Sequence, residues 1–199
     1  MQILSSPASP FVRACRVLIL ETGQDDVDIR DVTANPMGGD ADLNAANPSG
    51  KIPALVREDG PAIYDSRVIC RFLDQKVGAD LYPESRLWEV LSLEANAHAV
   101  MEAAVGITYE KRLRPEALHW PDWFDAQWTK IARSLDAMEA RSMPLLEGPL
   151  NMAQIATGCA LGYLDLRHGD RNWRDGRDTL AAWEARFAER DAMQATRPA

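Results

Sequence analysis

The spacing of apolar residues changes once along this chain, near residue 80, and the change divides it in two. Before that point short apolar runs alternate with helical stretches. Gln2–Ser5 reads as a strand, and the Ser6-Pro7-Ala8-Ser9-Pro10 turn follows it. Val12, Cys15, Leu18 and Ile19 then recur at three- and four-residue steps, the period of a helix with one buried face. Pro10 suits the first helical position, where a missing N–H costs nothing. Ser9 suits the N-cap before it, and Gly23 stops the helix after about Thr22. Val27 and Ile29, with Asp31 to Thr33 behind them, supply a second strand and give a β-α-β start. Residues 34–46 are rich in Gly, Asp and Asn, and hold at most one irregular turn of helix.

Asn47 to Leu73 is the stretch around which the first part is organised. A turn cluster, Asn47-Pro48-Ser49-Gly50, precedes an apolar run from Ile52 to Val56 that contains Pro53. Proline cannot donate to a ladder, so Pro53 belongs at the first residue of a strand or on an edge. Glu58-Asp59-Gly60 signals a hairpin, with Ala62 and Ile63 as its second strand. Asp65-Ser66 then starts a helix whose apolar face is Val68, Ile69, Phe72 and Leu73.

After Gly78-Ala79-Asp80-Leu81-Tyr82-Pro83 the pattern is helical throughout. Helices are expected from Leu87 to about Leu113, from Trp120 or Pro121 to about Arg141, from Ile155 to Leu166 and from Thr179 to about Glu189. Asn151 and Gln154 have capping-box spacing ahead of the third, which is apolar enough to be a buried spine. Thr196 to Ala199 are expected to fray. The domains read as residues 1–77, α/β, and 84–199, all-α.

Composition excludes several classes. The net charge of −8 is unsuited to nucleic-acid binding, which needs concentrated Lys and Arg. No run reaches the roughly 18 apolar residues of a membrane span, and Met1-Gln2-Ile3-Leu4 has no signal-peptide character. Cys15, Cys70 and Cys159 are far apart in sequence and odd in number, so they read as buried free thiols of a reducing cytoplasm rather than disulfides or a zinc site. His98, His119 and His168 lack metal-ligand spacing, and no metal is expected.

Three places invite chemistry, each with an ordinary alternative. Ser9 at a helix N-terminus either caps that helix or donates to an anion held there. No His/Asp pair marks it as a hydrolytic nucleophile. The Ile52-Pro53 turn and the Asp65-Ser66 helix start form either a plain hairpin capped onto a helix, or a cradle for an extended peptide-like ligand. In the cradle, Ile52 offers free backbone groups, Asp65 accepts from an amine, Ser66 donates and accepts, and the helix start offers unpaired N–H groups to a ligand with amine and carboxylate ends. On the residues alone, Lys51 reads as a solvated strand-edge lysine.

Asn47-Pro48-x-Gly50-Lys51-Ile52-Pro53-x-Leu55, Asp65-Ser66 and x-x-Ile69-x-x-x-Leu73 together resemble the glutathione site of the glutathione S-transferase superfamily. Ser9-Pro10-Phe11-Val12-Arg13 is similar to the active-site loop of its serine-type bacterial members, and the whole chain looks most like the small YibF-like proteins. The resemblance implies a thioredoxin-like domain followed by an all-helical one, with glutathione as co-substrate. It implies a cis Ile52–Pro53 bond. It implies that Ser9, Phe11, Lys51, Ile52, Pro53, Asp65 and Ser66 form the glutathione site, with Ser9 catalytic. A small hydrophobic electrophile is the implied second substrate, with Val12, Met101, Val105 and Tyr109 as its contacts, although ordinary core packing explains those four equally. The family also implies a two-fold homodimer formed by the Asp65 and Leu87 helices, where the sequence offers Arg67, Arg71 and Lys76 against Glu84, Glu89 and Glu94 of the other subunit. Cysteine-type relatives carry a thiol where this chain has Ser9, which argues against thiol-disulfide reduction. A glutathione-binding module without turnover is the alternative function, since fold alone does not fix activity.

Overall fold

The computed structural model describes residues 1–198, in two compact units. One comprises Met1–Pro83 and the chain from Asp191 onward; the other is Glu84–Arg190.

The first unit is built on a three-stranded sheet of order β2-β1-β3, with β1 at Gln2–Ser5, β2 at Asp28–Asp31 and β3 at Ala54–Val56. Strands β1 and β2 are parallel and joined by α1, Pro10–Glu21; β1 and β3 are antiparallel, with Leu4 opposite Ala54. That register matters for function. Residues just before Ala54 lie beside those just after Leu4, so the Ile52-Pro53 turn and the loop leading to Ser9 share one end of the sheet. The expected second strand of the hairpin reduces to a single bridge, in which Leu55 and Ile63 exchange both backbone bonds at 2.9 Å.

A short helix, α2 at Ala41–Ala46, forms in the Gly- and Asn-rich segment because the Asp40 carboxylate caps it, accepting from the N–H groups of Asp42 and Leu43. Leu43 packs with Leu4 and Ala54 against one face of the sheet. Ile3 and Leu55 point the other way and are also fully buried.

Helix α3, Ser66–Val77, lies alongside α1. Cys15 Sγ is 3.8 Å from the carbonyl of Ser66 and 3.7 Å from Cys70 Sγ, while Gln24, just past the end of α1, donates to the carbonyl of Leu73. The middle of α1 meets the first turns of α3, and the residues past its end meet Leu73 further along α3, so the two helices run parallel. The thiols far apart in sequence thus include a neighbouring pair; Cys15, Cys70 and Cys159 are free and buried.

The C-terminal segment departs from expectation. Asp191–Ala195 forms α9, which packs on α1. Thr196, expected to fray, is buried, and its hydroxyl donates to the Ala192 carbonyl at 2.8 Å. Arg13 holds the segment in place through the Met193 carbonyl and the Thr196 hydroxyl. This is why the second unit ends at Arg190 rather than at the C-terminus. Ala199 lies outside the described residues.

The second unit is helical: α4 at Leu87–Leu113, α5 at Pro121–Arg141, α6 at Met143–Leu146, α7 at Met152–His168 and α8 at Asp178–Phe187. Both halves of the Asn151/Gln154 capping box form, and the Gln154 amide also donates to the carbonyls of Leu145, Leu146 and Gly148. Helix α7 is the buried spine, packed chiefly on α4. Two charged groups tie the periphery. Arg174 pairs with Asp165 and Glu184, and the Glu139 carboxylate accepts from the N–H groups of Thr179 and Leu180 at the start of α8. No helix among the described residues is long and apolar enough to cross a membrane.

Candidate functional site

Two parallel helices present unpaired N–H groups at the same end of the first unit, each with a dipole favouring anions there. Ser9 caps the first. Its Oγ accepts from the Val12 N–H at 3.3 Å, and its own N–H donates to the Ser6 carbonyl at 3.0 Å. A hydroxyl that accepts in this way keeps its proton to give, and among the described residues the Ser9 proton has no acceptor. The capping reading of Ser9 is therefore realised, and it leaves the donor reading open. Phe11 and Val12 continue the same first turn; Phe11 is half-buried, Val12 fully buried.

The Asn47–Lys51 turn sets Ile52. The Asn47 side chain accepts from the Ser49 N–H and hydroxyl and donates to the Lys51 carbonyl at 2.8 Å. Gly50 sits at φ +64, a left-handed conformation that favours glycine. The Ile52–Pro53 bond is cis and Pro53 is buried. Strand β3 begins only at Ala54, and neither the N–H nor the C=O of Ile52 has a partner among the described residues. Paired as a ladder residue pairs, they can take one strand-like stretch of a ligand. Lys51 is exposed, with no ion-pair partner among the described residues.

Asp65 is the N-cap of α3: Oδ1 accepts from the Arg67 N–H and Oδ2 from the Arg67 guanidinium, both at 3.1 Å. The carboxylate is exposed. Ser66 is buried at the first helical position, with no partner for its hydroxyl among the described residues.

Ser9, Ile52, Pro53, Asp65 and Ser66 thus gather at the end where α1 and α3 begin. The proposed electrophile contacts do not behave as a set. Val12 and Met101 are 1% and 0% exposed and have no surface to offer, because both are core positions of their helices. Val105 and Tyr109 on α4 keep accessible surface. Five of the six charges assigned to a subunit interface are engaged or buried within the chain. Arg67 pairs with Asp65, Lys76 with Asp26, and Glu89 with Arg86; Arg71 lies over the Tyr82 ring and Glu94 is buried.

Two features escaped the sequence. Arg13 is not among the apolar face positions of the first helix, yet it is buried against the C-terminal segment. His168 is buried in the second unit, its Nε2 3.0 Å from the Ala104 carbonyl, which fixes the proton on Nε2. Burial holds its pKa below the usual imidazole value, although the Ala104 bond opposes this. Neither has a local signal; both depend on segments far away in sequence. Among the described residues no three His, Cys, Asp or Glu side chains are grouped to hold a metal.

Comparison with known proteins agrees with the geometry. Residues 8–76 match the family described as "Glutathione S-transferase, N-terminal domain", and residues 121–186 match "Glutathione S-transferase, C-terminal domain". The chain is 32% identical to the "Uncharacterized GST-like protein YibF" of Escherichia coli K12, covering 100% of this chain and 98% of that one. A glutathione transferase family member from Pseudomonas fluorescens Pf-5, solved with bound glutathione, is 44% identical with a TM-score of 0.96, covering 100% of this chain and 98% of that one. A glutathione S-transferase from Methylobacillus flagellatus KT, solved with glutathione bound, is 34% identical with a TM-score of 0.88, over 100% and 99%.

Proposed function

The chain belongs to the glutathione S-transferase family, and from that premise we propose that it is a serine-type transferase whose first unit binds glutathione and holds its sulfur as a thiolate. Ile52 N–H and C=O pair with the cysteinyl backbone of glutathione. Asp65 takes the γ-glutamyl amine, Ser66 and the α3 N-terminus take its carboxylate, and Lys51 faces the glycyl carboxylate. Ser9 donates its hydroxyl proton to the sulfur. The thiol proton leaves to solvent, the thiolate lone pair forms a carbon–sulfur bond with a small hydrophobic electrophile, and the leaving group departs with its electron pair.

The unclaimed Ser9 proton at the head of α1, beside the unpaired backbone of Ile52, carries this reading. A free cysteine thiol titrates near 8.5, so a two-unit depression makes thiolate dominant at neutral pH and corresponds to about 2.7 kcal/mol. One hydrogen bond to a charged acceptor is worth roughly 1.5–3 kcal/mol, and the N–H groups of the first turn add to it.

Assembly as a two-fold homodimer and a cytoplasmic location are part of the same proposal. Exposed Val68 on α3 and Trp88 on α4 support the first, since apolar burial rather than rim charge must hold a dimer. Three buried free thiols support the second.

Calorimetric titration with glutathione, run beside conjugation of an aryl halide, tests the reading. Saturable binding with turnover is expected. Asp65→Asn, which keeps a capping oxygen but loses the charge, should weaken binding about tenfold. Binding without conjugation of any electrophile class would leave only a binding module, and affinity unchanged in Asp65→Asn would remove Asp65 from the site.

A further inference from the structure

Arg13 is 7% exposed, and its guanidinium has only neutral partners among the described residues: Nη2 donates to the Met193 carbonyl at 3.0 Å and Nε to the Thr196 hydroxyl at 3.4 Å. The elements packed on α1 carry other charged groups: Arg16 on α1 itself, Asp191 at the start of α9 and Arg197 past its end, Asp65 and Arg67 at the start of α3. None of these forms an ion pair with Arg13. Burying an uncompensated charge is costly, and an apolar side chain would dock α9 at lower cost. Met193 and Thr196 need a hydrogen-bond donor, but they do not need a cation.

An anion at the site would give that charge a counterpart. Arg13 follows Ser9 by four residues, one turn further along the same face of α1, and its N–H donates to the Ser9 carbonyl at 3.0 Å. We propose that Arg13 is a positioning residue of the transfer reaction, whose buried charge, kept dry by the docked C-terminal segment, stabilises the glutathione thiolate at Ser9. The inference rests on the reading of Ser9 given above. The guanidinium acts through space and does not touch sulfur. One turn of helix plus the side chain's reach sets a separation of ~10 Å. At an effective dielectric of ~20 a unit charge there lowers the thiol pKa by about one unit. Docking of residues 191–198 thereby becomes part of the site's electrostatics: it excludes the water that would screen the charge.

The test is the pKa of the glutathione thiol bound to the full chain, read from thiolate ultraviolet absorbance against pH, in three variants beside the parent. Arg13→Gln keeps an N–H donor for the Met193 carbonyl and removes the charge; it should raise the bound thiol's pKa by about one unit and cut conjugation about tenfold below that pKa. Arg13→Lys keeps the charge and should stay within a few tenths of a unit of the parent. Thr196→Val loosens the docked segment while keeping the charge, so it should raise the thiol pKa in the same direction as Arg13→Gln but by less. If Arg13→Gln does not fold, Arg13→Met replaces it. An unchanged pKa in the charge-neutral variant overturns the proposal, as does an equal shift in Arg13→Lys, which would make the role purely structural. A parent that binds no glutathione overturns the functional reading as well, whereas a parent with a lowered thiol pKa that Arg13→Gln leaves in place overturns only the role of Arg13.

Discussion

Replacing Ser9 separates two jobs that one hydroxyl does. As a cap, Oγ accepts from the Val12 N–H at 3.3 Å, a long bond, so its loss belongs at the lower end of the usual cost of removing an N-cap, about 0.5–1 kcal/mol for alanine and only a few tenths for glycine. For a chain of 199 residues this lowers Tm by about 1–4 °C in Ser9→Ala and less in Ser9→Gly. As a donor, the hydroxyl is worth roughly 1.5–3 kcal/mol to a thiolate, which is about one to two units of thiol pKa. Both variants should lose the donor equally. The expected result is therefore a similar rise in bound-thiol pKa in Ser9→Gly and Ser9→Ala, despite different stabilities. Conjugation should fall about tenfold to a hundredfold below the parent's thiol pKa. It should recover at high pH, where the sulfur is ionised regardless and a more basic thiolate is the better nucleophile. Ser9→Asp keeps a capping acceptor but sets a negative charge against sulfur, and should be the slowest of the three with the most stable α1. The assay pairs thiolate absorbance with initial rates across pH. A Ser9→Gly enzyme with the parent's thiol pKa, or a rate loss that does not depend on pH, would refute the role assigned to Ser9.

Two further predictions concern stability. Glu139 accepts from the Leu180 and Thr179 N–H groups at the head of α8; its desolvation opposes the effect, but these bonds hold its pKa below the ordinary 4.5. Its contribution is therefore complete above about pH 4.5 and disappears as pH falls through the folded-state value, so urea denaturation should show Glu139→Ala less stable by about 1 kcal/mol at pH 7 and nearly equal to the parent in acid. His168, its pKa held below 6.5 first by desolvation, stays neutral in the folded chain while the unfolded chain protonates; parent stability should fall as pH drops below 6.5, and His168→Gln should flatten that slope despite lost packing.

Local chemistry fixed much of this protein. Ser9-Pro10 at one end of α1 and Gly23 beyond the other, the Asn151/Gln154 box and the bounds of α4 and α5 all follow from residues within a turn or two of each other, because caps and helical periodicity are short-range effects. The Ile52-Pro53 and Asp65-Ser66 elements were legible for the same reason, as was their candidate role, from their likeness to a known pattern. Tertiary structure decided the rest. Only the pairing of Leu4 with Ala54 and the parallel packing of α1 on α3 put Ser9, Ile52 and Ser66 at one end. Only the folded chain shows that Cys15 meets Cys70 across 55 residues, that Val12 and Met101 are sealed in cores, and that Glu94 is buried rather than presented to a partner. Arg13 is the clearest case: its partners lie 180 and 183 residues away, and no local pattern distinguishes an arginine that faces water from one on which a distant segment will close. Periodicity says which face of a helix is apolar, but what finally covers the remaining face is settled by contacts whose sequence separation leaves no trace in the neighbouring residues.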